Sequence, residues 1–475
     1  MRSCCSTGGL NGCFDLAVIG AGSAGFSAAI TAAEQGARVA LIGQGTIGGT
    51  CVNVGCVPSK TLIRAAESLH YAQAAARFAG IRGGARLDDW RALVAQKDEL
   101  VAGLRQAKYV DVLPKYDAIA YMEGPARLAP DGIHVNGERL RVGKTIVATG
   151  ASAARPSITG IEDIDYLTST RALELQELPQ SMLVIGGGYL GCELAQLFAR
   201  AGGRVALVCR SRLLPEGEPE ISQALAGYLR DDGVDVRTDL VYRQIRRTES
   251  DIALEVGPNG GIETLTAEVV LAATARRPNT ADLGLADVHV ALTESSGIRV
   301  NEHLRTSNPQ IYAAGDVTGR HQFVYMAAYG AKLAALNALN GDAHRYDAAA
   351  MPTITFTDPQ VASVGLTEAA ARTRGFDVKA AILPLDQLPR ALAARNTRGL
   401  IKLVADRASD RLLGAHILAP EGSDSIQTAA LAIKHGMTTR ELGETIFPYL
   451  TTVEGLKLTA LSFGRDVTRL SCCAG

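Results

Sequence analysis

A chain of 475 residues has room for about three or four domains of roughly 150 residues each. With 47% hydrophobic and 20% charged residues it can form an ordinary soluble core, and a formal net charge of −1 gives no electrostatic ground for a nucleic acid or an anionic membrane as partner. No apolar run reaches the roughly 18 residues of a membrane-spanning helix, no apolar segment follows Arg2 to make a secretory signal, and nine irregularly spaced cysteines fit working thiols in a reducing cytoplasm better than a disulfide scaffold.

Residues 1–13 read as a disordered extension, in which Cys4-Cys5 has no assigned role. The next segment begins a repeat. Residues 15–43, DLAVIGAGSAGFSAAITAAEQGARVALIG, align without gaps on residues 181–209, SMLVIGGGYLGCELAQLFARAGGRVALVC. Each copy has an apolar run of strand length, a glycine turn, a stretch of helical periodicity and a second apolar run, so each predicts a βαβ unit. Gly20, Gly22 and Gly25 in the first copy, and Gly186, Gly188 and Gly191 in the second, form G-x-G-x-x-G. The first glycine permits the turn, the second lets the backbone approach a pyrophosphate, and the third lets helix and strand pack closely. Two such turns in matched contexts predict two dinucleotides, each with its phosphates at a helix N-terminus.

The two units differ at the end of the second strand, where an acidic residue ordinarily binds a ribose 2′-hydroxyl. The second copy has Cys209 there, followed by Arg210-Ser211-Arg212. Two guanidinium groups and no carboxylate suit the 2′-phosphate of NADPH rather than NADH; the alternative is a solvated arginine pair. The first copy has Gly43 there, followed by Gln44, a departure from the glutamate of an FAD unit.

Between the copies lies Gly49-Thr50-Cys51-Val52-Asn53-Val54-Gly55-Cys56-Val57-Pro58-Ser59-Lys60. One helical turn brings two cysteines so spaced within bonding distance, and a helix start near Cys56 and Pro58 lowers a thiol pKa. Short strands running into turns are expected at residues 145–150, 272–280 and 306–316. From Asp347 the pattern changes to that of a separate α+β domain, and the chain ends Ser471-Cys472-Cys473-Ala474-Gly475.

The Cys51 to Lys60 segment resembles the redox-active disulfide of the flavoprotein disulfide reductases, and the resemblance runs from Asp15 to Gly475. It implies an α/β fold with two Rossmann-like dinucleotide-binding domains, for FAD and NADPH, and a C-terminal α+β dimerisation domain. The implied layout is an extension at 1–13, the FAD-binding domain at 14–150 and 272–346, the NADPH-binding domain at 151–271, and the interface domain with its Cys-Cys tail at 347–475. FAD is expected at Gly20, Gly22, Gly25, Gly49, Thr50, Lys60, Thr149, Gly150, Gly315 and Asp316. NADPH is expected at Gly186, Gly188, Tyr189, Gly191, Glu193, Arg210 and Arg212. The resemblance places Cys56 against the flavin and Cys51 toward substrate, pairs Lys60 with Glu193 beside the flavin N5, and makes Tyr189 a gate for nicotinamide.

Within that family, the Cys472-Cys473 tail and Phe447-Pro448-Tyr449-Leu450-Thr451-Thr452-Val453-Glu454 resemble the branch that reduces mercury(II). Thiol-substrate members carry a His–Glu pair where this chain has Tyr449 and Glu454. Loss of the histidine argues against a glutathione or lipoamide substrate, whose leaving thiolate needs a proton donor. Tyr109 resembles a second tyrosine of the mercury site. The implied reaction moves electrons from NADPH through FAD and Cys51/Cys56 to Hg(II), a soft ion that favours thiolates. Cys472 and Cys473 relay the ion from small-thiol complexes, across a homodimer, to the other subunit's cysteine pair. The rival readings are an organic-disulfide reductase and a thiol-based mercury sequestration protein. A prenylation box at Cys472 is disfavoured by the terminal glycine.

Overall fold

Two parallel sheets are built on the repeated glycine turns in the computed structural model, which describes residues 13–257 and 261–465. Residues 1–12 of the expected 1–13 extension and the Cys472-Cys473 tail lie outside the described residues. The chain divides into two units, one of residues 1–61, 94–154 and 275–347, the other of residues 62–93, 155–274 and 348–475.

In the first unit the parallel sheet has the order Ile311–Ala313, Val142–Val147, Phe14–Ile19, Val39–Gly43, Ile119–Glu123. The strand Val39–Gly43 is buried at every residue, as parallel strands covered on both faces must be. Helix Ser23–Glu34 starts directly after the glycine turn and packs on helix Val324–Asn340. Buried Ala24, Ala28 and Ala32 on the first helix, and Ala327, Ala331, Ala334 and Ala335 on the second, keep that packing close. One continuous core joins sheet and helices, with Leu16, Val18, Leu41 and Ile146 fully buried.

In the second unit the repeat gives a parallel sheet of order Asp235–Arg237, Arg204–Val208, Ser181–Ile185, Val269–Ala272. An antiparallel sheet of order Thr353–Thr355, Gln360–Gly365, Leu412–Ala419, Leu400–Asp406, Val378–Pro384 follows. Helices Gly422–Lys434 and Glu454–Leu461 cover it through Ile426, Ala429 and Leu456. The two Rossmann-like cores are those expected from the repeat, and the C-terminal α+β domain is the one expected from the change of pattern at Asp347. Among the described residues no helix is long and apolar enough to cross a membrane.

Candidate active site

Cys51 lies on the short helix Gly49–Asn53, and Cys56 is the first residue of the 19-residue helix Cys56–Ala74. Gly55 makes the connection possible: a Cβ there would sit 2.9 Å from Thr50 O and 3.3 Å from Cys51 Cα. Both cysteines are half-buried thiols. A hydrogen bond to Cys56, burial and the charge of Cys56 push the Cys51 thiol far above its usual range, and the nearby Lys60 ammonium opposes this. The Cys51 thiol is thus tied to Cys56 by that hydrogen bond. Cys56, at the positive end of a long helix, is the better site for the negative charge.

The loop is held by contacts that sequence spacing does not announce. The Asn53 side-chain amide donates to Ile47 O at 2.9 Å and Gly49 O at 2.8 Å, and its Oδ1 accepts from Arg105 Nη1 at 3.1 Å. Helix Trp90–Arg105 then widens into a π-helical turn, Gln106–Val110, that carries Tyr109. Such turns recur at functional sites because they redirect one side chain. The Tyr109 hydroxyl lies 3.0 Å from Ser23 Oγ, and its ring meets Phe26 edge-on at 4.9 Å. Burial raises the phenol's pKa, the Ser23 hydrogen bond lowers it, and the charges of Cys51 and Cys56 raise it again. Tyr325, not singled out in the sequence, is pushed up to about 12 by burial and by Cys56.

The glycine turns fit dinucleotides by the space they leave. A Cβ at Gly20 (φ +119°) would lie 2.3 Å from Ala148 O, and one at Gly25 would lie 1.7 Å from Gly20 O. The corresponding contacts in the second copy are Gly186 on Ala273 O at 2.4 Å and Gly191 on Gly186 O at 1.8 Å. The middle glycines, by contrast, meet only Gly49 Cα at 3.5 Å (Gly22) and nothing within 4 Å (Gly188). Each turn is closed toward the protein and open on the side where a pyrophosphate approaches.

Thr149 and Gly150 are locked to Asn279, whose side chain donates to Thr149 O at 2.9 Å and whose N–H donates to Gly150 O at 2.9 Å. Asp316 follows Gly315 (φ +78°). Burial raises its carboxyl pKa, and Arg276, with Nε 3.8 Å from Asp316 Oδ2, pulls it back.

The second unit holds the remaining expected residues. Tyr189 opens helix Tyr189–Arg200 and is half-buried. Glu193 is buried and accepts the Phe356 N–H at 2.8 Å. Arg210 is exposed, whereas Arg212 turns back to donate to Pro215 O at 2.7 Å and Gly217 O at 2.8 Å. Tyr449 is exposed, and buried Glu454 accepts the Leu450 N–H at 3.2 Å, with its carboxyl pKa raised by burial. Thus the first unit brings Cys51, Cys56, Lys60 and Tyr109 together, and the second carries Tyr189, Glu193, Tyr449 and Glu454.

The family model for pyridine nucleotide-disulphide oxidoreductases matches residues 14–331, and the model for their dimerisation domain matches residues 351–460. The chain is 46% identical over 470 residues to a mercuric reductase of Streptomyces lividans, covering 97% of this chain and 98% of that one. It is 44% identical over 464 residues to a mercuric reductase of Lysinibacillus sphaericus, covering 97% and 85%. Among solved structures, the HOCl-induced flavoprotein disulfide reductase RclA of Escherichia coli, as its Cu(II) complex, superposes with a TM-score of 0.83 at 30% identity, over 95% of this chain and 99% of that one. This chain therefore belongs to the pyridine nucleotide-disulphide oxidoreductases and, within them, to the mercuric reductases, FAD-dependent enzymes that use NADPH.

Proposed function

We propose that the enzyme reduces Hg(II) to Hg(0) at Cys51 and Cys56, with the ion relayed to them by Cys472 and Cys473. The observation that carries this reading is the contact between the Cys51 and Cys56 thiols on a turn fixed by Asn53 and Arg105, with the Tyr109 phenol at the same loop. Two adjacent thiolates are the ligands a soft ion favours.

Gly20, Gly22 and Gly25 would hold the FAD pyrophosphate, with Thr149, Gly150, Gly315 and Asp316 along the rest of the cofactor. Gly186, Gly188 and Gly191 would hold that of NADPH, with Arg210 as the exposed guanidinium for its 2′-phosphate. The chemistry supplied by bound FAD is two-electron transfer from NADPH to the cysteine site.

The chain's own residues do the rest. Hg(II) takes the place of the proton that Cys51 shares with Cys56, and that proton leaves with the displaced thiol. Lys60, close enough to draw the Cys51 pKa down, stabilises negative charge on the pair. Tyr109 and Tyr449 offer phenolic oxygens to the ion in transit, and Glu454 takes protons from incoming thiols. The dimerisation domain supports a homodimer, and in the proposed relay the tail of one subunit serves the cysteine pair of the other. The cytoplasm, with its pool of small thiols, suits the relay.

NADPH oxidation should require Hg(II) in excess small thiol and should yield trapped volatile Hg(0). The Cys472→Ala/Cys473→Ala variant should lose most of that rate. Consumption of NADPH with oxidised glutathione or lipoamide, and none with Hg(II), would make the enzyme an organic-disulfide reductase instead.

A further inference from the structure

Gly43 ends the second strand of the first dinucleotide unit, where a ribose-binding carboxylate ordinarily stands. The structure shows why no side chain is there. A Cβ at Gly43 would sit 2.7 Å from Ala21 Cβ and 2.8 Å from the Tyr121 hydroxyl. Tyr121, on the neighbouring strand Ile119–Glu123, already fills the space.

That neighbouring strand ends in an acid. Gly43 and Glu123 are register partners across the parallel pair, two residues beyond the Leu41–Tyr121 pair. Side chains two apart on a strand share a face, so Glu123 projects on the same face as Tyr121, the face that a side chain at Gly43 would occupy. The pairing holds to its end, with Gly124 N donating to Gly43 O at 2.8 Å. The Asn136 side chain donates to Glu123 O at 2.8 Å and fixes the backbone there. Glu123 itself is exposed, as a ligand-facing carboxylate beside an open turn would be.

We infer that Glu123 supplies the carboxylate for the adenosine ribose of FAD, taking over from the adjacent strand the contact that Gly43 cannot make. The inference rests on the reading of the Gly20–Gly25 turn as the FAD pyrophosphate site.

The test is dilution of purified holoenzyme, with released FAD read by its fluorescence, for the wild type and for Glu123→Ala, Glu123→Gln and Gly22→Val. Loss of a charge-assisted hydrogen bond should raise the FAD Kd about tenfold in Glu123→Ala and less in Glu123→Gln, which keeps a neutral acceptor. Gly22→Val, whose branches enter the open side of the turn, should release FAD in either case. If Gly22→Val releases FAD while Glu123→Ala and Glu123→Gln both retain it as the wild type does, the Glu123 inference is overturned and the turn's assignment stands. If Gly22→Val itself retains FAD as the wild type does, the assignment of the turn falls, and the inference with it.

Discussion

The Tyr109 hydroxyl is bonded to Ser23 Oγ at 3.0 Å, and Ser23 is the first residue of the helix that follows the first glycine turn. The phenol next to the cysteine loop is thereby indexed to the dinucleotide site rather than to the loop alone. Tyr109→Phe removes the oxygen and keeps the edge-on contact with Phe26. It should lower kcat/KM for Hg(II) about tenfold, with the KM for NADPH unmoved. Ser23→Ala should give a smaller change in the same direction. Steady-state titration of each substrate checks this, and equal effects on both KM values would mean that Tyr109 acts through the fold and not on the metal.

The proton shared by Cys51 and Cys56 makes two further outcomes measurable. Because the Cys51 pKa is raised, chiefly by its hydrogen bond to Cys56, Hg(II) supplied as a thiol-free salt should expel a proton near neutral pH that no displaced thiol carries away. A pH indicator in weak buffer should register about one proton per pair. The sign for stability follows from the same shift. A folded-state pKa above the unfolded one stabilises fully below the unfolded value, about 8.5, and the contribution is lost as pH rises beyond it. Melting of the reduced enzyme should therefore fall more steeply above that pH than melting of Cys51→Ser. A flat profile in the wild type would show that the thiols do not share a proton.

Arg276 and Asp316 form a second charged pair. Burial raises the Asp316 pKa and Arg276 restrains it. Arg276 also donates to Ala151 O, so it stays in place whether or not Asp316 is ionised. In Arg276→Met the carboxyl should protonate at higher pH. An acid that must accept a ribityl hydroxyl then fails sooner, and acid release of FAD should have a higher pH midpoint than in the wild type. Coincident release curves would exclude the pair from the FAD site.

The glycine repeat and the cysteine motif were legible in the sequence because each glycine and cysteine is fixed by backbone geometry that a local pattern reports. Gly20, Gly25, Gly186 and Gly191 would each clash through a Cβ, so no other residue fits. Asn53, Arg105, Ser23 and Tyr325 left no such mark. Their roles come from contacts between residues far apart in sequence, 86 positions in the case of Ser23 and Tyr109, and any polar residue looks alike before the chain has folded. The arginines after Cys209 show the limit from the other side. Both were legible as guanidinium groups, but only the loop conformation shows Arg212 bonded to Pro215 and Gly217 while Arg210 is exposed.

Lys402 is a buried cation held by three carboxylates in the second unit. Its side chain is 2% exposed and its ammonium lies 2.9 Å from Glu218, 2.9 Å from Glu220 and 3.0 Å from Glu368. Burial alone would lower its pKa, and the three carboxylates override that and raise it. Glu218 directly follows Gly217, whose carbonyl Arg212 holds, and Leu214 N in the same loop donates to Gly187 O in the glycine turn at 2.8 Å. The C-terminal sheet is thus tied to the loop proposed to read the 2′-phosphate. Lys402→Met leaves the buried Glu218 carboxylate without its ammonium and should cost about 3 kcal/mol, against a smaller loss for Lys402→Arg. It should also raise the KM for NADPH more than the KM for Hg(II). His416, the register partner of Lys402, adds a pH dependence of known sign. Burial lowers its pKa against the pull of Glu218, so its contribution is present above the ordinary histidine value of about 6.5 and lost as pH falls. Melting should therefore decline below that pH, and His416→Gln should remove part of the decline. An unchanged melt and an unchanged KM for NADPH in Lys402→Met would show that the cluster neither stabilises the unit nor positions the loop.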